Sequence, residues 1–229
     1  MKIVECEQGS CEWHDARLGR PTASHFGEIV APKTAKARTG SAPRAYLVEL
    51  LGERLTRLPT QHFESAAMER GTLLEPVAAQ WYATTTQRAI RHVGFVVSDC
   101  GRFGGSPDGL CEDRGIEIKC PMQNNFVEIA ESGIIPDDWM MQIQGLLWLT
   151  SLPSWDFVLF TDAPGLIPQI IEVRPDLKIF AAFDSALPAF CDDLDAAEKK
   201  MRAAGHGVEA ITIHPPKVFD DPFEMKTIV

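Results

Sequence analysis

A chain of 229 residues, 45% hydrophobic and 24% charged, has the make-up of a globular protein able to bury a proper core in one large domain or two small ones. No apolar run approaches the ~18–20 residues needed to cross a bilayer; Met1 to Glu7 turns acidic before a signal-peptide core could form, so a cytoplasmic protein with no membrane partner is expected. Six cysteines without a C-x-x-C pair and six scattered histidines speak against zinc fingers, iron–sulfur ligation and a disulfide framework.

In chain order, Cys11 to Gly19 reads as a short helix stopped by Gly19, Arg20 and Pro21. Thr22 then reads as the N-cap of a helix from Ala23 to Val30, with Ser24 in its first turn, where free N–H groups favour an anion. Arg17 and Ser24 together could bind a terminal phosphate, or could serve only a helix surface and a cap. The net charge of −10 argues against a nucleic-acid partner. Residues 31–44, however, carry Lys33, Lys36, Arg38 and Arg44 without a single acid: either a basic rim for phosphate or a solvated loop.

After a loop from Gly40 to Pro43, a helix is expected from Arg44 to about Leu58, with Leu47, Leu50, Leu51 and Leu55 on one face. A longer helical pattern starts near Phe63 and carries Met68, Leu74, Glu75, Ala78, Trp81 and Tyr82; Pro76 should kink or restart it. Residues 90–98 read as a strand. Helices are expected from Phe126 to Glu131 and from Pro136 or Asp137 to Thr150, the latter with Met140, Ile143, Leu147 and Trp148 as core stripe and with Gln142 and Gln144 facing elsewhere. Strands Trp155–Thr161 and Ile167–Arg174 precede a closing helix over residues 176–204, kinked at Pro188. This order implies one α/β (or α+β) domain over residues 1–205, a central mixed β-sheet flanked by helices, followed by a Pro-rich tail over 206–229.

The chemistry concentrates between Ser106 and Cys120. Ser106-Pro107-Asp108-Gly109 leads through Cys111-Glu112-Asp113-Arg114 into Gly115-Ile116-Glu117-Ile118-Lys119-Cys120. Strand side chains alternate, so Glu117 and Lys119 share one face and Ile116 and Ile118 the other. A hairpin connection brings Asp108 back beside Glu117, placing two carboxylates and an ammonium at one spot. Hard carboxylate oxygens of this kind suit Mg²⁺, and Lys119 could hold or deprotonate an attacking water. Singly, Pro-Asp-Gly is a common turn and Glu-x-Lys a common solvated pair; in this order they are similar to the PD-(D/E)xK nuclease signature.

Further islands line up with it: Trp13-His14, Arg17-Leu18-Gly19, Thr22-Ala23-Ser24, Glu75, Ser106 to Leu110, Glu117 to Pro121, and Gln142-Ile143-Gln144 with Trp148. On these residues the chain resembles the lambda-exonuclease type of phage recombination nuclease, the YqaJ-type viral recombinase family. The resemblance implies a restriction-endonuclease-like core and a Mg²⁺-dependent exonuclease, with Mn²⁺ able to substitute, that digests one strand of linear duplex DNA from a phosphorylated 5′ end and leaves a 3′ single strand. It implies Asp108, Glu117, the Ile118 carbonyl and Glu75 as metal ligands, Lys119 as the residue that activates water, and Gln144 as its orienter. It further implies Arg17, Ser24 and Ser106 as a 5′-phosphate pocket, Met68 as an apolar wedge at the strand junction, and another phosphate ligand between Lys33 and Arg38. A ring-shaped homotrimer, a single-strand annealing partner and a phage or prophage origin in a bacterial host belong to the same implication. A PD-(D/E)xK endonuclease of restriction or repair type is the alternative, and a non-catalytic DNA-binding module a further one.

Overall fold

A computed structural model describes residues 1–60 and 66–207; the tail from residue 208 onward, and the Phe63 start expected for the fourth helix, lie outside them. A strand that the sequence pattern does not announce, β1 (Lys2–Val4), comes first. Helix α1 (Cys11–Arg17) follows, capped by the Ser10 hydroxyl, which accepts from the Trp13 N–H at 3.3 Å.

The helix expected over Ala23–Val30 does not form as one piece. Ala23–His25 is a 3-10 turn, α2 (Phe26–Ile29) a single helical turn, and Val30 enters β2 (Val30–Ala31), paired antiparallel with β3 (Lys36–Ala37). Thr22 does not cap: its N–H donates to the Tyr46 hydroxyl at 3.0 Å and its own hydroxyl pairs with that of Ser24. Helix propensity is weak through His25-Phe26-Gly27, and complete burial of Val30 in the hairpin overrides it. Helix α3 (Ser41–Thr56) begins three residues before the expected Arg44, because Pro43 stands in a first turn whose N–H groups have no intrahelical partner in any case.

Helix α4 (Ala66–Thr86) runs through Pro76 without a restart. One missing hydrogen bond is outweighed by the burial of Ala78, Ala79 and Tyr82 against the central sheet. The strand expected over 90–98 shrinks to β4 (Phe95–Val97), which joins β1 and β5 (Gly104–Gly105) in a three-stranded antiparallel sheet; Arg91 makes only an isolated bridge to Leu110.

The central sheet is mixed, as the element order implied. Strands β6 (Gly109–Leu110) and β7 (Gly115–Lys119) form an antiparallel hairpin; helices α5 (Gln123–Ser132) and α6 (Asp137–Thr150) then cross over to β8 (Trp155–Leu159), parallel to β7, and β9 (Gln169–Val173) returns antiparallel. The order is β6-β7-β8-β9. One face buries Ile116, Ile118, Val158 and Phe160 against α4. The other buries Trp155, Phe157 and Leu159 against α6 and the closing helix α7 (Leu177–Ala203), which continues through Pro188. Between sheet and α7, α6 is covered more widely than a single stripe: Met141, Leu146 and Leu149 are buried along with Ile143 and Leu147, while Met140 and Trp148 are only half-buried.

Candidate active site

The β6–β7 register sets Gly109 against Ile116, so Asp108 falls next to Glu117 one step further on. Asp108 Oδ2 accepts from the Ile118 N–H at 2.5 Å. Since the N–H and C=O of one strand residue point the same way, the Ile118 carbonyl also faces the Asp108 side. On the charged face of β7, Lys119 Nζ donates to Glu117 Oε1 at 2.6 Å and to Gln142 Oε1 of α6 at 3.3 Å. The Lys119 side chain keeps 24% exposure, so the ammonium reaches the surface, whereas Glu117 is fully buried. Glu75 of α4 lines the same cleft beside Ile118 and Lys119. Gly109 is needed here for space and not for a turn: a Cβ would sit 2.4 Å from Ile90 Cγ2 and 3.0 Å from Ile116 Cδ1, in a backbone conformation open to any residue.

Crowding so many acids raises their proton affinity. Burial first, then the charge of Asp108, pushes the Glu117 carboxyl up to about 8, with Lys119 opposing. Burial and Asp108 likewise push Glu75 up to about 7. Asp108 is raised by burial against the pull of Lys119 and the Ile118 N–H. For Lys119, burial alone would lower the ammonium, but Glu117 and Asp108 outweigh it and the net shift is upward. Glu117 Oε2 is buried with no hydrogen-bond partner. Once deprotonated, a buried carboxylate oxygen without a donor is a strong electrostatic demand for a cation. Among the described residues no three His, Cys, Asp or Glu side chains already stand as a closed metal cage. The donor set is open: two carboxylates and a main-chain carbonyl, which fits Mg²⁺, an ion that keeps several waters and takes only one or two carboxylates.

The remaining candidates divide. Ser106 accepts from Arg17 Nη1 at 3.1 Å and from Trp13 Nε1 at 2.8 Å, and the Arg17 guanidinium lies 4.4 Å from the Trp13 ring centroid. Arg17 and Ser106 are therefore neighbours, and Ser106 stands two residues before Asp108 in the chain. Ser24 is exposed and bonds to the Thr22 hydroxyl at 3.2 Å, not to Arg17 or Ser106; it sits in a 3-10 turn and not in the helical first turn expected for it. Met68 is exposed and lines the cleft on the Lys119 side. Lys33 stands 3.9 Å from Asp137, and Arg38 lines a separate groove with Arg44.

Gln144 is the clearest correction. It is buried, and its amide bonds the Arg174 carbonyl at 2.9 Å and accepts the Asp176 N–H at 2.8 Å, pinning the link between β9 and α7. Residues two apart on a helix point about 200° apart, so only one of the two glutamines can face Lys119, and it is Gln142. The sequence reading also missed Arg70, which donates to the Cys120 and Pro121 carbonyls at 3.1 and 3.2 Å and pairs with Asp162, fastening α4 to the end of β7. Arg70 lies inside α4 and its carbonyl partners stand 50 and 51 residues further on, so no local spacing announces the contact.

A family model of the YqaJ-like viral recombinase domain matches residues 12–153. An alkaline exonuclease from Laribacter hongkongensis superposes with a TM-score of 0.77 at 28% identity, over 86% of this chain and 98% of its own. Its complex with dAMP gives 0.75 at 30% identity with the same coverage. A phage-related exonuclease from Haemophilus somnus 129PT, at TM-score 0.59 and 16% identity over 80% of this chain and 96% of its own, shares the fold. No curated protein matches the chain.

Proposed function

The chain belongs to the YqaJ-like viral recombinase domain family, and from that premise we propose that it is a Mg²⁺-dependent 5′→3′ exonuclease acting on linear duplex DNA with phosphorylated 5′ ends. The observation that carries the reading is the β6–β7 hairpin, with Asp108 and Glu117 side by side, Glu117 Oε2 left without a partner and Lys119 held over them.

Asp108, Glu117 and the Ile118 carbonyl would hold the ion, with Glu75 on the far wall of the cleft. When bound, the ion supplies Lewis-acid polarisation of the phosphate and a more acidic water. Lys119, its proton affinity raised by its carboxylate neighbours, enters protonated and donates to the attacking water or a phosphoryl oxygen; Glu117 and Gln142 fix its direction. Arg17, stacked on Trp13 and bonded to Ser106, offers a charged donor for a terminal phosphate close to the hairpin. The Laribacter hongkongensis relative was captured with dAMP, which supports release of mononucleotides here. The same reading includes Mn²⁺ as a substitute ion, Met68 as the wedge, a homotrimeric ring around DNA, and an annealing protein that takes up the 3′ strand.

Incubation with Mg²⁺ and linear 5′-phosphorylated duplex should yield mononucleotides and 3′ overhangs. Lys119→Ala should remove at least ~10²-fold of the rate while duplex binding persists. Equal cutting of closed circular DNA, or indifference to the 5′-phosphate, would instead favour an endonuclease.

A further inference from the structure

The cleft around the hairpin has two chemically different halves that meet at Glu75 and Ile118. One half runs past Asp108 and is walled by Arg88, His92 and Gln80 together with small or aliphatic side chains such as Ala79, Ala83 and Ile90, with no Phe, Tyr or Trp among them. The other, about 420 Å³, is walled by Trp139, Met68 and Met122, with Asn125 at its rim and Lys119 on its floor. A DNA strand drawn across the hairpin must place a nucleotide on each side of the phosphate being cut. The second half carries the larger aromatic surface for a base, the Trp139 indole.

Trp139 is the residue that makes it so. Its indole is braced from within by Phe157, ring centroids 5.9 Å apart at an interplanar angle of 32°, and the Lys119 ammonium lies 6.0 Å from its centroid. The side chain is half-buried, so part of the ring remains open to the cleft. It stands on α6 one turn before Gln142, and the helix that aims Gln142 at Lys119 therefore fixes the indole beside the same ammonium. Flanking methionines supply polarizable sulfur for the edges of an aromatic ligand, and the exposed Asn125 amide offers both a donor and an acceptor for a base edge.

We propose that Trp139 is a stacking platform for the base of one of the two nucleotides flanking the scissile phosphate, with Asn125 at the edge of that base. The site would take any of the four bases, because every base presents a π-face and stacking is tolerant of sequence. This rests on the exonuclease reading for its substrate, and the tests below separate the two.

The first test is binding, with no divalent ion present. Duplexes carrying 2-aminopurine at the first or the second 5′ position are titrated with wild type, Trp139→Leu and Trp139→Phe. Wild type and Trp139→Phe should quench the probe at one of the two positions, and Trp139→Leu, which keeps apolar packing on Phe157, should not. The second is single-turnover cleavage of duplexes with an abasic analogue at either position. Stacking on an aromatic ring is worth ~1–3 kcal/mol per base, so wild type should slow roughly tenfold at the position that quenches, and Trp139→Leu less than about twofold there. Wild type indifferent to both abasic positions, equal quenching by Trp139→Leu, or additive losses would overturn the platform. Quenching that depends on Trp139 without any cleavage would keep the base site and sink the exonuclease reading.

Discussion

Replacing Gln144 with Met tests which glutamine serves the chemistry. Met preserves the volume in a site that is 3% exposed, so the change removes two hydrogen bonds, to the Arg174 carbonyl and from the Asp176 N–H, and little else. At a net ~1 kcal/mol per bond, the fold should lose about 2 kcal/mol. For a domain of this size, that is a fall in melting temperature of about 4–8 °C. Asp176 caps α7 through the Lys178 and Ile179 N–H groups, so the loosened link should be felt at the start of that helix, as faster amide exchange there. Cleavage rate per folded molecule, measured well below the transition, should stay within about twofold of the parent. Gln142→Ala should behave in the opposite way, with stability nearly unchanged and turnover reduced roughly five- to tenfold through loss of one acceptor of Lys119. Calorimetry on both variants beside single-turnover rates decides the matter. If Gln144→Met melts like the parent and has lost its rate, the assignment of the two glutamines is reversed and the geometry of α6 given above is wrong.

Three further expectations concern the proposed ion, the hairpin and the proposed phosphate pocket. The Glu75 and Glu117 carboxyls sit above their ordinary value of 4.5, at about 7 and about 8; their contribution to metal-free stability is therefore complete below that ordinary value and lost as pH rises through these two. Mg²⁺ needs the deprotonated forms, so the rise in melting temperature given by a fixed excess of the ion should grow between about pH 6 and about pH 9; a shift of equal size across that range would place the ion elsewhere. Gly109→Ala drives a Cβ to within 2.4 Å of Ile90 and should destabilise by ~1–3 kcal/mol while displacing Asp108; adding Ile90→Ala should restore part of both stability and rate, and full additivity in urea unfolding would count against the clash. Arg17→Ala should shrink the rate ratio between phosphorylated and dephosphorylated ends by roughly ten- to a hundredfold, the range for hydrogen bonds to a charged group. Ser24→Ala should leave that ratio alone; a collapsed ratio in Ser24→Ala would return it to the pocket.

How far the chain could be read in advance depended on sequence separation. Asp108, Glu117 and Lys119 lie within one hairpin, where the two-residue period of a strand and a four-residue connection already determine which side chains meet. The element order and the mixed sheet follow from similar local periodicities. Helix ends and interruptions were less legible. Thr22 and Ser24 have good capping chemistry, yet their hydroxyls pair with each other, while Tyr46, 24 residues away in the chain from Thr22, holds the Thr22 N–H; Pro76 breaks helices in isolation, yet the apolar face of α4 on the sheet carries the helix past it.

What the amino-acid order determined alone was the kind of site: acids and an amine on one strand face, at a spacing that a hairpin closes. What the tertiary fold decided was the company around that site. Gln142 and not Gln144 faces Lys119, Arg17 reaches Ser106 across 89 residues, and Trp139 walls the cleft, all through the rotation and placement of whole helices packed on the sheet. That rotation is set by the summed burial of many apolar side chains, a quantity distributed over the whole core and written in no single stretch of the chain.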